Sequence, residues 1–284
     1  MQKYCLFFML FFLFTIPDWS AEIKKDLPKP DYEQVQKTIR YLAEEIGPRP
    51  AGSEHATQVI QYISDKIKQL GYNYTYQDYK LPDNRNCRTI HAYYAGTSQH
   101  EIILAAHIDT VPECPGANDD GSGVAVLLEL ARIVRGHHVP VGIHFIFLGA
   151  EEMISGYDEG RFYSSAQYIE YQKNLGLDFL NGVIILDKVG VGEIFQVLQM
   201  DSTKNNLTDK LVVVANQMKL PLERRVVKRW QPSMPFEDAG LATVWLEWGP
   251  DPNLHSSKDT INKISRKKIE SVLTLMEQFI FSVP

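Results

Sequence analysis

The chain has 284 residues, 44% hydrophobic and 23% charged, a balance that excludes a disordered, collagen-like or multi-span membrane protein and suits an ordinary globular domain. Its 29 Lys and Arg against 35 Asp and Glu leave a net charge of −6, so no basic surplus points to nucleic acid or to an anionic membrane. Acidity this mild says nothing about the substrate.

The chain opens on a short basic start, runs through the apolar stretch Cys5–Ile16 (CLFFMLFFLFTI), and passes Pro17 and Asp18 to a small residue at Ala21. That order describes a secretory signal over residues 1–21. The apolar stretch is shorter than the roughly 20 residues a spanning helix needs, which argues against the alternative of an uncleaved anchor. Trp19 is bulky for a cleavage site, so the cutting point stays open. The expectation is an exported protein, secreted or periplasmic, with no membrane association once the signal is removed. Cys87 and Cys114 then remain, and an oxidising compartment would permit a bridge if the fold brings them together. Asn73-Tyr74-Thr75 and Asn206-Leu207-Thr208 are glycosylation sequons, meaningful only in a glycosylating host.

Helical spacing of apolar residues predicts a helix over Asp31–Ile46, ended by Gly47-Pro48, and a second over Glu54–Leu70, with Gly71 as its C-cap. Ile102–Ala106 is a short apolar run with polar flanks, the mark of a buried strand. A helix follows over Val124–Val134, just after Gly121-Ser122-Gly123. Strands are expected at Gly142–Leu148, Gly182–Leu186 and Thr243–Leu246, and an amphipathic helix at Ile264–Phe281. This alternation predicts an α/β fold: a single-domain three-layer sandwich with a mostly parallel or mixed central sheet between helices. No internal repeat, low-complexity tract or linker interrupts it.

Acidic and imidazole residues fall just after these strands. His107-Ile108-Asp109 follows the first, Asp119 lies in the loop Gly116–Gly123 that leads into a helix, Glu151-Glu152 follows Gly142–Leu148, Asp187 follows Gly182–Leu186, and His255 lies in a Pro-rich loop after Thr243–Leu246. In open α/β sheets the site forms outside the carboxyl ends of the strands, so these distant positions are expected to converge. Singly, each has a bland reading: a surface histidine, a solvated Glu pair, a helix cap. Their joint placement is what the bland readings explain poorly. Two imidazoles (His107, His255) and three carboxylates (Asp119, Glu152, Asp187) are a donor set for two zinc ions, with Asp119 bridging them at a separation of roughly 3.5–4 Å. Glu151, beside a ligand in the chain, is the candidate base that takes a proton from water and delivers it to a leaving amine. Asp109 is the candidate acceptor for the His107 ring N–H, fixing the tautomer that binds metal.

The segments Gly47–Tyr72, Ala106–Asp109, Gly116–Glu129 (GANDDGSGVAVLLE), Phe147–Glu152 (FLGAEE), Leu186–Gly190 and Gly249–Thr260 resemble, in order and over nearly the whole mature chain, the secreted and periplasmic zinc aminopeptidases with co-catalytic metals. The resemblance implies metal ligands at His107, Asp119, Glu152, Asp187 and His255 and a base at Glu151. It prefers Asp119 over Asp120 as the bridge, and implies a catalytic domain over residues 28–284. The implied activity is removal of N-terminal residues from peptide substrates by a hydroxide that two zinc ions activate.

Three departures bear on the substrate rather than the metal. Members of that family often carry Asp-His shortly before the equivalent of Phe236, where this chain has Pro232-Ser233-Met234-Pro235. They often have Tyr before the last His, where this chain has Leu254. The stretch Met153–Ser165 is longer than usual and reads as a rim loop that shapes the substrate pocket or as a solvated insertion. Trp230, Phe236, Trp245 and Trp248 are candidates for an apolar side-chain pocket, although aromatic residues at such positions are more often core. Glutaminyl cyclases of the same superfamily use a similar ligand set with one zinc and typically have Trp beside the last His; Leu254 and the Asp-Asp-Gly-Ser-Gly loop argue against that reading. A non-catalytic ectodomain on the same fold is argued against by the presence of all five ligands and Glu151.

Overall fold

Four strands of near-continuous apolar sequence lie side by side in the middle of one sheet, as strands covered on both faces must. A computed structural model describes residues 27–152, 162–173, 179–200, 206–227 and 234–282; the secretory segment read from the sequence lies outside them. The strands are β1 (Tyr74–Lys80), β2 (Asn86–Tyr94), β3 (Glu101–His107), β4 (Gly142–Leu148), β5 (Leu180–Leu186), β6 (Ile194–Met200), β7 (Glu223–Val227) and β8 (Thr243–Gly249). They form an eight-stranded sheet in the order β1-β2-β4-β3-β5-β8-β6-β7. The parallel block β4-β3-β5-β8 is flanked by the antiparallel pairings β2/β4 and β6/β8. The described residues thus form one α/β domain with a mixed sheet between helices, as the sequence pattern predicts.

Strand alternation sorts the core. Ile102, Leu104 and Ala106 of β3 face one side with Phe145, Ile184 and Val244, against the helices α1 (Tyr32–Arg40), α2 (Glu54–Gln69), α3 (Gly121–Val134), α5 (Asn206–Gln217) and α7 (Arg266–Ser282). Ile103 and Ala105 face the other with Ile146, Val183 and Ile185, against α4 (Tyr163–Lys173) and the short α6 (Met234–Asp238). Each fully buried Ile or Leu contributes about 1.5–3 kcal/mol. The first predicted helix is α1 continued by one π turn, Tyr41–Ile46, before Gly47 at φ 78° ends it. Asp31 caps α1 by accepting from the Gln34 amide, and Ser53 caps α2 by accepting from Ala56. The helix α3 begins at Gly121, three residues before the expected Val124, because the Asp120 carboxylate caps it.

The outer strands β1, β2, β6 and β7 and the helices α4, α5 and α6 are absent from the sequence-based scheme. Cys87 and Cys114 form no bridge: Cys87 Sγ lies 3.2 Å from the Gly149 carbonyl on β2's inner side, and Cys114 Sγ faces Asp259. Among the described residues no helix is long and apolar enough to cross a membrane.

Candidate active site

The parallel block delivers its strand ends to one rim. His107 is the last residue of β3, Asp187 follows β5, Glu151-Glu152 follow β4, and His255 lies in the loop after β8. Asp119 reaches the same point from the loop between β3 and α3. Small residues are required in that loop: Gly116 has φ 64°, and a Cβ on it would meet Thr110 Cγ2 at 2.3 Å and the Asp119 carbonyl at 2.6 Å. Beneath the loop lies Arg49, fully buried. Its guanidinium donates to the carbonyls of Ile108 (2.7 Å), Pro115 (2.7 Å) and Gly116 (2.9 Å). From the other side Asp259 accepts from the amides of Asn118 (2.8 Å) and Asp119 (3.0 Å). The sequence reading missed both Arg49 and Asp259. Arg49 stands between two prolines in Gly47-Pro48-Arg49-Pro50, and nothing in that pattern says that its charge is internal.

The cluster itself consists of two triads that share Asp119. His107 Nε2 lies 3.2 Å from Asp119 Oδ1 and 3.9 Å from Asp187 Oδ1. His255 Nε2 lies 3.1 Å from Asp119 Oδ2 and 3.1 Å from Glu152 Oε1. Within each triad, His107–Asp119–Asp187 and Asp119–Glu152–His255, the candidate ligand atoms all lie within 4.8 Å of one another. All five residues expected to bind metal are therefore together. His255 is held at φ 55°, a backbone region unusual for a residue with a side chain. Hydrogen bonds from Asn253 N to Asp251 Oδ1 (2.8 Å) and from Ser256 Oγ to the Asn253 carbonyl (2.6 Å) fix its loop.

Neighbouring Asp120 turns away from the cluster. It accepts from the backbone amides of His107 (3.1 Å), Gly123 (2.9 Å) and Lys188 (3.3 Å), which leaves Asp119 as the member of the pair that faces both imidazoles.

Glu151 is buried and its carboxylate is held from α4. Ser164 Oγ (2.6 Å) and the Ser165 amide (2.8 Å) donate to Oε1, and Ser165 Oγ (2.6 Å) donates to Oε2. Burial pushes its carboxyl up to about 7, against the pull of these hydrogen bonds. The two serines close the Met153–Ser165 stretch, whose residues 153–161 lie outside the described residues. At its end Ser164 and Ser165 are buried against Glu151.

Asp109 meets the His107 ring chiefly through its main chain. The His107 Nδ1 lies 3.0 Å from the Asp109 backbone carbonyl and 3.4 Å from its carboxylate. The carboxylate oxygens instead accept from the amides of Glu151 (3.0 Å) and Glu152 (3.0 Å). Asp109 thus fixes the ring through its main chain and the Glu-Glu turn through its side chain. The candidate pocket aromatics pack instead of lining a pocket. Phe236 is fully buried in the core beside Tyr168, Trp248 stacks on Phe195, Trp245 lies beneath Lys188, and Trp230 falls outside the described residues.

The donor set fits a metal. Burial pushes the Asp187 carboxyl up to about 6, and its Oδ1 is buried without a hydrogen-bond partner. Hydrogen bonds to Asp119 and Glu152 raise His255 to about 10. Each imidazole Nε2 is thus aimed at carboxylates where a cation can replace the shared proton, and N/O triads of this kind suit zinc.

Fold and site together have the build of a metal-dependent hydrolase. The family model for Peptidase family M28 matches residues 89–280, which include most of the sheet and all five candidate ligands, and the chain belongs to that family. Aminopeptidase YwaD of Bacillus subtilis is 26% identical over 191 residues, which cover 63% of this chain and 40% of that protein. The chain spans about half the length, or less, of the first curated relatives it matches. Among solved structures, a zinc aminopeptidase from Bacillus subtilis superposes with a TM-score of 0.80 at 17% identity, covering 90% of this chain and 95% of that one. The Fimbriiglobus ruber glutaminyl cyclase superposes with a TM-score of 0.79 at 21% identity, covering 91% and 97%. These likenesses bear on the fold.

Proposed function

We propose that this chain is an exported zinc aminopeptidase that removes N-terminal residues from peptides, with Met1–Ala21 as its export signal. The observation that carries the reading is the pair of donor triads sharing Asp119, with a buried carboxylate, Glu151, beside them. His107, Asp119 and Asp187 would hold one ion, and Asp119, Glu152 and His255 the other. Bound zinc would supply positive charge to polarise the scissile carbonyl and to acidify the attacking water.

The chain's own residues supply the rest. Glu151 takes the proton of the attacking water and later delivers it to the leaving amine, and Ser164 and Ser165 hold its carboxylate in place meanwhile. Asp109 and Arg49 keep the Glu-Glu turn and the Asp119 loop at fixed separation. Substrate enters from the His255 side, where the side chain is 39% exposed against 7% for His107.

Glutaminyl cyclisation is the second reading, favoured by one observation: Lys188 Nζ occupies Asp187 Oδ2 at 2.9 Å, as suits a site that relies on a single ion. The test is zinc content together with hydrolysis of a panel of aminoacyl amides, with Glu151→Gln as control and an N-terminal Gln peptide as the cyclase probe. Zinc-dependent release of N-terminal residues, lost in Glu151→Gln, is expected. Cyclisation without hydrolysis would transfer the assignment to the second reading, and full activity of Glu151→Gln would overturn both.

A further inference from the structure

Lys188 is buried and follows a proposed ligand directly in the chain. Its Nζ lies 2.9 Å from Asp187 Oδ2 and 3.1 Å from Glu247 Oε2, and 3.9 Å above the centre of the Trp245 ring. Gln196 Nε2 donates to the second oxygen of Glu247. The lysine is therefore fixed on three sides, by two carboxylates and an aromatic face. A cation so placed does two things to Asp187. It claims one carboxylate oxygen, leaving only the unpartnered Oδ1 toward His107. It also sets a positive charge beside the point where one ion of the pair would bind. Glu247 counters that charge, so the repulsion felt at the site is graded by the Lys188–Glu247 pair. In the other triad Glu152 Oε1 and Asp119 Oδ2 face His255, and among the described residues no lysine or arginine is ion-paired with Glu152.

We propose that Lys188 is a positioning residue that makes the two zinc sites unequal, the His107–Asp119–Asp187 site holding its ion more loosely and the Asp119–Glu152–His255 site holding its ion first. The inference rests on the proposed two-ion reading and deepens it, since the looser ion is the one whose occupancy would follow the zinc supply. Replacing a residue that touches a ligand changes metal affinity by about 10–100-fold, and the charge arrangement gives the sign for each variant. Glu247→Gln leaves the Lys188 charge uncompensated and weakens the looser site. The double variant Lys188→Met/Glu247→Gln removes both of these charges, frees Asp187 Oδ2 for the ion, and tightens the site.

The test is calorimetric zinc binding to the metal-stripped full chain, with zinc content and melting temperature measured in parallel. Two binding steps separated by about tenfold or more are expected in the natural chain. The gap should widen in Glu247→Gln and close in the double variant, with the tighter step unchanged in both. If the natural chain takes up one ion only, the double variant should gain the second. Equal affinities in the natural chain, or a gap or stoichiometry unmoved in a double variant that still melts cooperatively, would overturn the inference. Binding is read whether or not any peptide is cleaved. Unequal zinc binding without peptidase activity would therefore overturn the proposed function alone, and cleavage with two equal sites would overturn the inference alone. Absence of zinc binding would overturn both.

Discussion

Asp119 turns one oxygen to His107 and the other to His255, yet the two imidazoles live in different surroundings. The His107 side chain is 7% exposed and backed by Asp187, Asp120 and the buried Lys188; that of His255 is 39% exposed and reaches the cluster from a loop. The first triad is built on strand ends and inherits the rigidity of the sheet. The second depends on a turn held by Asp251, Asn253 and Ser256. One side is organised for fixed geometry and the other for access, which is the division of labour the proposed hydrolysis needs: charge must be preorganised, and substrate must still enter.

That contrast breaks most severely where the triads meet. Asp119→Ala removes the shared ligand, and zinc content should fall at both sites, whereas His255→Ala should cost only one ion; metal analysis of the two purified variants checks this. Loss of a single ion in Asp119→Ala would mean that the carboxylate is not shared.

Next in size is Arg49→Ala. It strips the buried carbonyls of Ile108 and Gly116 and the partly buried carbonyl of Pro115 of their donor, at about 1–3 kcal/mol for each buried group left unsatisfied. Thermal melts should show a drop of several degrees, and the zinc step that depends on Asp119 should weaken with it.

The smallest effect is in pH. His255 has its folded value raised to about 10 from the ordinary 6.5 by Asp119 and Glu152. Stability from that contact is therefore fully present below pH 6.5 and is lost as pH rises through about 10. The metal-stripped protein should melt progressively lower across that window. The zinc-loaded protein should not, because the ions then replace the proton. Half-exposure of the imidazole limits the difference to a few degrees. A metal-stripped melting temperature that is flat or rises over the same range would show that His255 is not held by those carboxylates.

Much of this site was legible in the sequence because the central strands are. Runs such as Ile102–Ala106 and Gly142–Leu148 are apolar without interruption, and a polar residue immediately after such a run has little choice but to stand at the sheet's rim. His107, Glu151, Glu152 and Asp187 were found on that ground. The outer strands were not, since Tyr74–Lys80 (YTYQDYK) has no fully buried residue, four of its seven being exposed, and carries no apolar run to separate it from a loop. The supports of the site were hidden for a different reason. Arg49 and Asp259 work by hydrogen-bonding backbone from distant segments, and Ser164 and Ser165 by meeting Glu151 across a long connection. None of these partnerships has a fixed spacing. Asp109 shows the finer limit: its proximity to His107 was correctly inferred, but which of its oxygens meets the ring depends on where the Glu151 and Glu152 amides fall.

The most direct test of the two-triad centre is a zinc-edge anomalous difference map of the zinc-loaded protein. It should show two peaks, each about 2.0–2.2 Å from an Asp119 oxygen and roughly 3.5–4 Å apart, one beside His107 and Asp187 and the other beside Glu152 and His255. Zinc bound elsewhere, with no peak in contact with Asp119, would contradict it.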